Sequence, residues 1–278
     1  MVEKFILITG ATDGIGKQTA IDLANMNYEI IVHGRNISKA KTVAEEIKET
    51  TGNENIHFAV ADLAELRQVH DLAENLHQNF DRLDVLINNA GVSMQQRQLT
   101  PDGFEATFAI NHLAHFLLTI RLLDLLKPSA SGRIVTVASQ AHASSLDFDN
   151  LQGERDFDGY GQYMTSKLCN IMFTFELAER LAGTGITANC LHPGVIDTKL
   201  LRQSFGRGMG RPVEEGSKTS IYLATSAAVE STTGEYFVDT KPTRPAKIAY
   251  DSNARKKLWA LSEEMVGVQF EDIILGGN

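Results

Sequence analysis

Short apolar runs rich in β-branched residues recur along the chain, at Phe5–Thr9, Glu29–His33, Ile56–Ala61, Val85–Asn88, Arg133–Ala138, Thr187–His192 and Glu235–Val238. Runs of this length bounded by turn residues predict buried strands. Helical patterns fill most of the gaps, among them Lys17–Met26, Leu113–Leu126 and Leu168–Leu181. Such alternation predicts an α/β fold: one doubly wound parallel sheet of about seven strands with helices on both faces. A ligand is then expected at the carboxyl ends of the strands. No internal repeat, low-complexity tract or linker interrupts the pattern, so one domain over residues 1–278 is expected.

The first strand runs into Gly10-Ala11-Thr12-Asp13-Gly14-Ile15-Gly16, and a helix follows. Glycine lets backbone N–H groups approach a pyrophosphate, and a helix N-terminus adds partial positive charge. The spacing is Gly-x-x-x-Gly-x-Gly rather than the commoner Gly-x-Gly-x-x-Gly. The alternative is a tight turn that needs glycine for geometry alone. The second strand ends in Gly34-Arg35-Asn36. In NAD-binding folds an acidic residue near this point holds the ribose 2′-hydroxyl. Here no carboxylate stands in the way, and the Arg35 guanidinium can grip a phosphate bidentately. The pattern predicts NADP(H) as the preferred cofactor, with NAD(H) as the alternative. A solvated Arg35 is the competing reading, and Asp13 adds no positive charge in its favour.

Tyr163 and Lys167 stand four residues apart at the head of an amphipathic stretch, which places both on one helix face. A lysine ammonium favours the phenolate, so the pair suits a tyrosine acting as general acid or base. Taken alone, such a pair reads more readily as a surface contact. Net charge −9 and pI about 5.4 argue against nucleic acid or an anionic membrane surface as the main partner. Cys169 and Cys190 lie in unrelated segments, with no disulfide framework or zinc spacing. The first strand starts almost at Met1, so no signal peptide is expected, and a cytoplasmic location is. The longest apolar region, His112 to Leu126, is too short to span a bilayer and carries Arg121 and Asp124.

Taken together, Thr9 to Gly16, Asp62-Leu63, Asn88-Asn89-Ala90-Gly91, Asn111, Ser139, Tyr163 with Lys167, and Pro193-Gly194 resemble the short-chain dehydrogenase/reductase family over about the first 200 residues. Ser166 to Asn170, Leu191 to Val195, Leu258 to Ser262 and the segment Asp147–Asp158 are similar to its retinol dehydrogenase-like branch. The resemblance implies an enzyme that interconverts a carbonyl and its alcohol. Tyr163 would be the acid or base, Ser139 would hydrogen-bond the reacting oxygen, and Lys167 would tune Tyr163 and bind the nicotinamide ribose. Asn111 would hold a water linking Lys167 to solvent. By the same resemblance Gly10, Thr12, Asp13, Gly14, Ile15, Gly16, Arg35 and Asn36 would hold the phosphates. Asp62 and Leu63 would lie at the adenine, and Asn89, Ala90 and Gly91 along the nucleoside. Pro193, Gly194, Val195, Ile196 and Thr198 would run beside the nicotinamide. The cofactor half would span about 1–130, and the catalytic and substrate part about 131–278.

Many members of that branch carry an N-terminal membrane anchor, and none is expected here. Membrane-embedded retinoids are therefore less expected than another hydrophobic aldehyde or ketone. The segment 199–212 carries Gly206, Gly208 and Gly210 with Arg202, Arg207 and Arg211, and is expected to be a substrate lid. Its arginines would attract an anionic substrate or be solvated. His112 and His115 have helical spacing, but no partner completes a metal site, and none is expected. Trp259 is expected to anchor the core or the lid. Consecutive apolar residues at Phe116-Leu117-Leu118 and Ile171-Met172-Phe173 exceed one helix face. They predict a homodimer, unless another segment of the chain covers them. A binding module without activity would be expected to lack Tyr163, Lys167 or Ser139, and all three are present.

Overall fold

The structure is a computed structural model that describes residues 4–126, 131–205 and 210–271. The chain alternates through β1 (Phe5–Ile8), α1 (Gly14–Ala24), β2 (Glu29–Gly34), α2 (Ile37–Thr51), β3 (Ile56–Val60), α3 (Leu66–Asn79) and β4 (Val85–Asn88). A helical stretch follows: α4 (Ala106–Phe108), a π-helical turn at Ala109–Leu113, α5 (Ala114–Arg121) and α6 (Leu123–Leu126). Then come β5 (Arg133–Val137), α7 (Gly159–Arg180), β6 (Thr187–His192), α8 (Lys199–Phe205), α9 (Val213–Thr225), β7 (Tyr236–Val238), β8 (Lys241–Pro242) and α10 (Ser252–Val266).

The strands form one eight-stranded sheet in the order β3-β2-β1-β4-β5-β6-β7-β8. Every pairing is parallel except that of β7 with β8. Chain direction across the sheet reverses between β1 and β4, and a crevice opens at the carboxyl ends there. Side chains alternate between the faces, as strand geometry requires. Leu7, Ile31, Leu86 and Ile134 face the layer of α3, α5, α7 and α10. Ile6, Ile8, Ile30, Val32, Ile87 and Val135 face the layer of α1, α2 and α9.

The eighth strand is absent from the apolar pattern. It has two exposed residues, one of them a proline, and it exists because Asp239 and Thr240 both take positive φ, +46° and +61°. Two such residues make the tight hairpin turn that an Asn-Gly pair would have announced. Helix α7 starts nine residues before Leu168. The Asp158 carboxylate accepts from Gly161 N–H and caps it, and its first turns lack the apolar spacing that marks the rest.

The surplus apolar residues of α5 and α7 are covered within the chain. Trp259 of α10 stacks on Phe173 with ring centroids 5.8 Å apart and meets Phe116 edge-on at 4.9 Å. Trp259 is thus a core anchor, with 2% of its surface exposed. The Arg180 guanidinium lies 4.3 Å above its ring, and buried Arg255 pairs with Glu176 and Glu179 of α7. No described helix is long and apolar enough to cross a membrane.

Candidate active site

Three segments meet at the crevice: the glycine turn after β1, the loop after β4, and the front of α7. Gly10 and Gly14 hold left-handed φ of +64° and +53°, which other residues adopt at a cost. A Cβ on Gly16 would lie 2.4 Å from Asn89 Nδ2, and one on Gly10 would lie 2.9 Å from Ala90 Cα. A Cβ on Gly34 would strike Thr12, which leans over the end of β2. The floor of the crevice is therefore bare backbone at the mouth of a helix, a surface that accepts a pyrophosphate. The glycine turn also borders a cleft of about 420 Å³ lined by Asp13, Gly14, Lys17, Thr198, Lys199 and Arg202, among others.

Hydrogen bonds fix this floor. Asn89 donates its side-chain amide to Thr9 O and its backbone N–H to Thr9 Oγ1, at 2.8 and 2.9 Å. His33, buried at the end of β2, accepts from Gly10 N–H through Nδ1 at 3.2 Å, so its Nε2–H donates to Ala61 O. Burial holds His33 at a pKa of about 4, well below the usual histidine range. Arg35 is exposed and joins no ion pair among the described residues. Lys39 stands nearby, 3.2 Å from the Asp13 carboxylate. Partial burial raises the Asp13 pKa, but Lys39 and Gly14 N–H outweigh it and hold the carboxyl below its usual value.

Asn111 sits inside the π turn rather than at a helix start. Its side chain accepts from Val92 N–H at 2.8 Å and donates to Val92 O and Ser166 Oγ at 3.0 and 2.9 Å. A Cβ on Gly91 would lie 3.5 Å from Asn111 Oδ1 and 3.6 Å from Lys167 Nζ, so these three positions converge. Ser139 follows β5 and accepts from Ala141 N–H. Its hydroxyl stands close enough to the Tyr163 phenol to pull that group's pKa down. His142 ties the same loop down, its Nδ1–H donating to Ser139 O at 2.7 Å while Nε2 accepts from Ala246 N–H. A cleft of about 350 Å³ begins at Gln140, the residue after Ser139, and includes His192, Gly194, Val195, Arg211 and Asp239.

The expected depression of the Tyr163 pKa is not realised. Burial pushes the phenol up to about 12, although the nearby Ser139 hydroxyl pulls the other way. Burial also drives Lys167 down to about 8. The lysine Nζ donates to Val137 O at 2.8 Å and lies 5.7 Å from the Tyr163 ring centre. Helical spacing correctly places the pair side by side, but burial rather than the charge of either group on the other sets both shifts.

Several residues expected at the cofactor have partners within the chain. Leu63 is buried in the core, so only its backbone can face the crevice. Ile15 and Ile196 pack against Gly216 of α9. Asn36 caps α2 through Lys39 N–H. Asp62 is half-buried and accepts from Ala64 N–H at 3.0 Å. In the expected lid, 206–209 with Gly206, Arg207 and Gly208 lie outside the described residues. Arg202 is paired with Asp197 at 2.7 Å and Arg211 with Asp239 at 3.4 Å, so neither offers an unpaired charge to an anion. His112 and His115 diverge. His112 Nε2 meets Ser262 Oγ, and His115 Nε2 meets Thr9 Oγ1. Sequence reading missed Lys39, His33, His142 and His115 as neighbours of the site. Only His115, four residues after Asn111, carried a spacing signal.

Residues 4–207 match the short chain dehydrogenase family. The chain is 39% identical to human retinol dehydrogenase 13, over 96% of this chain and 85% of the relative. It is 38% identical to human polyprenol dehydrogenase, over 96% and 86%. Among solved structures, an uncharacterized protein from Mycobacterium paratuberculosis superposes with TM-score 0.81 at 30% identity, covering 96% of this chain and 94% of that one. A short chain dehydrogenase from Shigella flexneri complexed with NADP gives TM-score 0.72 at 26% identity, over 86% and 97%.

Proposed function

The chain belongs to the short-chain dehydrogenase family, and from that premise we propose an NADP(H)-dependent oxidoreductase that interconverts a hydrophobic aldehyde or ketone and its alcohol, with Tyr163 as acid and base. The observation that carries this reading is the gathering of Tyr163, Ser139 and, one helical turn on, Lys167 beside the glycine floor. The relatives named for retinol and polyprenol, both long apolar alcohols, support the substrate class. The NADP complex of the Shigella flexneri protein supports the cofactor. The homodimer expected from the sequence loses its ground, because α10 covers the surfaces that suggested it.

The glycine turn and the N-terminus of α1 would hold the pyrophosphate, and Arg35 the 2′-phosphate. Asn89, Ala90 and Gly91 would line the nucleoside, and Lys167 would hold the nicotinamide ribose. Bound NADPH would supply the hydride. In reduction the Tyr163 phenol gives its proton to the carbonyl oxygen, and in oxidation the phenolate takes the proton of the alcohol. Ser139 donates to the same oxygen and steadies its developing charge. Lys167, linked through Asn111 to solvent, restores the phenolic proton.

The test is NADPH oxidation by the purified protein against a panel of aldehydes and ketones, repeated with Tyr163→Phe. Loss of positioned acid–base catalysis is worth on the order of a hundred- to ten-thousandfold, and the ring of the variant still packs. Turnover should fall by that much while NADPH binding, followed by fluorescence titration, stays close to wild type. A Tyr163→Phe enzyme with normal turnover would remove the assignment.

A further inference from the structure

We propose that His115 is a positioning residue that ties the glycine floor to the backbone of Asn111, whose side chain approaches Gly91 alongside Lys167. The proposal rests on the reading of the site given above, and its substance is a set of hydrogen bonds whose direction can be assigned. His115 lies on α5 with 1% of its surface exposed. Its Nδ1 is 3.0 Å from Asn111 O. A carbonyl only accepts, so Nδ1 carries the proton and Nε2 presents its lone pair. That lone pair faces Thr9 Oγ1 at 3.0 Å, so the threonine hydroxyl donates to it. The competing acceptor, Ile87 O, is farther away at 3.4 Å. With its proton turned toward His115, the Thr9 oxygen is free to accept from Asn89 N–H and Ala90 N–H at 2.9 and 3.0 Å.

Both ends of this chain lie at functional positions. Thr9 immediately precedes the glycine turn, and through it the imidazole orients the residues that would line the nucleoside. At the other end the Asn111 side chain is bonded to Val92 and Ser166, and its carbonyl is bonded to His115. Lys167 and Asn111 approach Gly91 from the same side. The imidazole therefore sets the relative placement of two parts of the site that belong to different elements. A leucine or phenylalanine would fill the same space at less cost. Burial of a titratable ring is tolerated where both nitrogens are used, and here both are.

Substitutions that each mimic one nitrogen separate the two ends. His115→Gln places its amide near the position of Nε2, and His115→Asn places its amide near the position of Nδ1. The NADPH dissociation constant is measured by fluorescence titration, and kcat with a carbonyl that the wild type reduces. Stranding one buried hydrogen-bonding group is worth roughly five- to a hundredfold. His115→Asn should weaken NADPH by an amount in that range, with a smaller loss of kcat. His115→Gln should show the reverse split, and His115→Phe should lose on both. If a Phe variant fails to fold, the Asn and Gln variants still decide. Equal losses for Asn and Gln in both quantities would mean a packing role and would overturn the proposal, as would wild-type values for all variants. If no carbonyl is turned over by the wild type, the proposed activity fails. The dissociation constants, weakened in Asn but not in Gln, would then still decide on His115.

Discussion

Lys167 keeps a titratable amine at 3% exposure, and that burial has opposite consequences for stability and for catalysis. The folded chain holds the amine at a pKa of about 8 against the ordinary 10.5. Between those values the unfolded chain binds more protons, so stability rises with pH through that window. Below about pH 8 the penalty is fully present. A gap of this size is worth about 3 kcal/mol, and about 1 kcal/mol of it would be offset where a variant leaves Val137 O without its donor. Lys167→Met should therefore melt higher than wild type at pH 7, measured without added cofactor, and the margin should narrow as pH climbs toward 10. Turnover should be lost in the same variant. A Met variant less stable than wild type at pH 7 would show that the Val137 hydrogen bond outweighs the buried charge. Arg35 is the opposite kind of residue, exposed and unpaired among the described residues. Its charge-assisted bond to a phosphate is worth about 1.5–3 kcal/mol. Arg35→Ala should weaken NADPH about ten- to a hundredfold and leave NADH nearly unchanged in parallel titrations. Equal weakening of both cofactors would place Arg35 away from the 2′-phosphate.

Elements whose role is set by local pattern were legible in the sequence, and those set by distant contacts were not. All seven parallel strands could be read from short apolar runs, and central strands such as β1, β4 and β5 are mainly apolar because both of their faces are covered, while edge strand β3 is partly exposed. The glycine turn was legible from the strand before it and the helix after it, and the Tyr163–Lys167 pairing from helical spacing, whereas Asn111 came only through the family resemblance. Strand β8 was not, since its turn is made by Asp239 and Thr240 rather than glycine. Nor was the sign of the Tyr163 shift, because depth of burial is a property of the assembled layers. The apolar excess on α5 and α7 could be read, but not what covers it, because α10 begins some seventy residues after α7 ends. Helix α10 makes its own argument for that cover. Trp259 touches Phe116, Phe173, Phe270 and Arg180 at once. Trp259→Ala removes a large buried ring and should cost about 3–5 kcal/mol, read as a lower urea midpoint with an unchanged slope. A loss under about 1 kcal/mol would mean that α10 docks loosely.

At the scale of the whole molecule, the docking of α10 bears on whether the chain pairs with a second copy. A twofold contact through α5 and α7 needs Phe116, Phe173 and their neighbours at the surface, and α10 occupies that place. To free it, Leu258, Trp259, Val266 and Phe270, each buried to 9% exposure or less, would have to return to water. Each such side chain is worth about 1.5–3 kcal/mol. The Arg255 links to Glu176 and Glu179 would break as well, leaving Glu176 with Arg180 of its own helix. A pairing surface on α5 and α7 would have to return all of this before contributing any net affinity. The net charge of −9 adds mutual repulsion between copies at low ionic strength. The expected result is a monomer: light scattering at micromolar concentration should give a mass near 30.5 kDa, unchanged between low and moderate salt. Twice that mass would mean that the chain pairs through a surface other than the one α10 covers. Twice that mass in wild type, falling to a single chain's mass when Trp259 is replaced, would instead mean that α10 itself forms the contact.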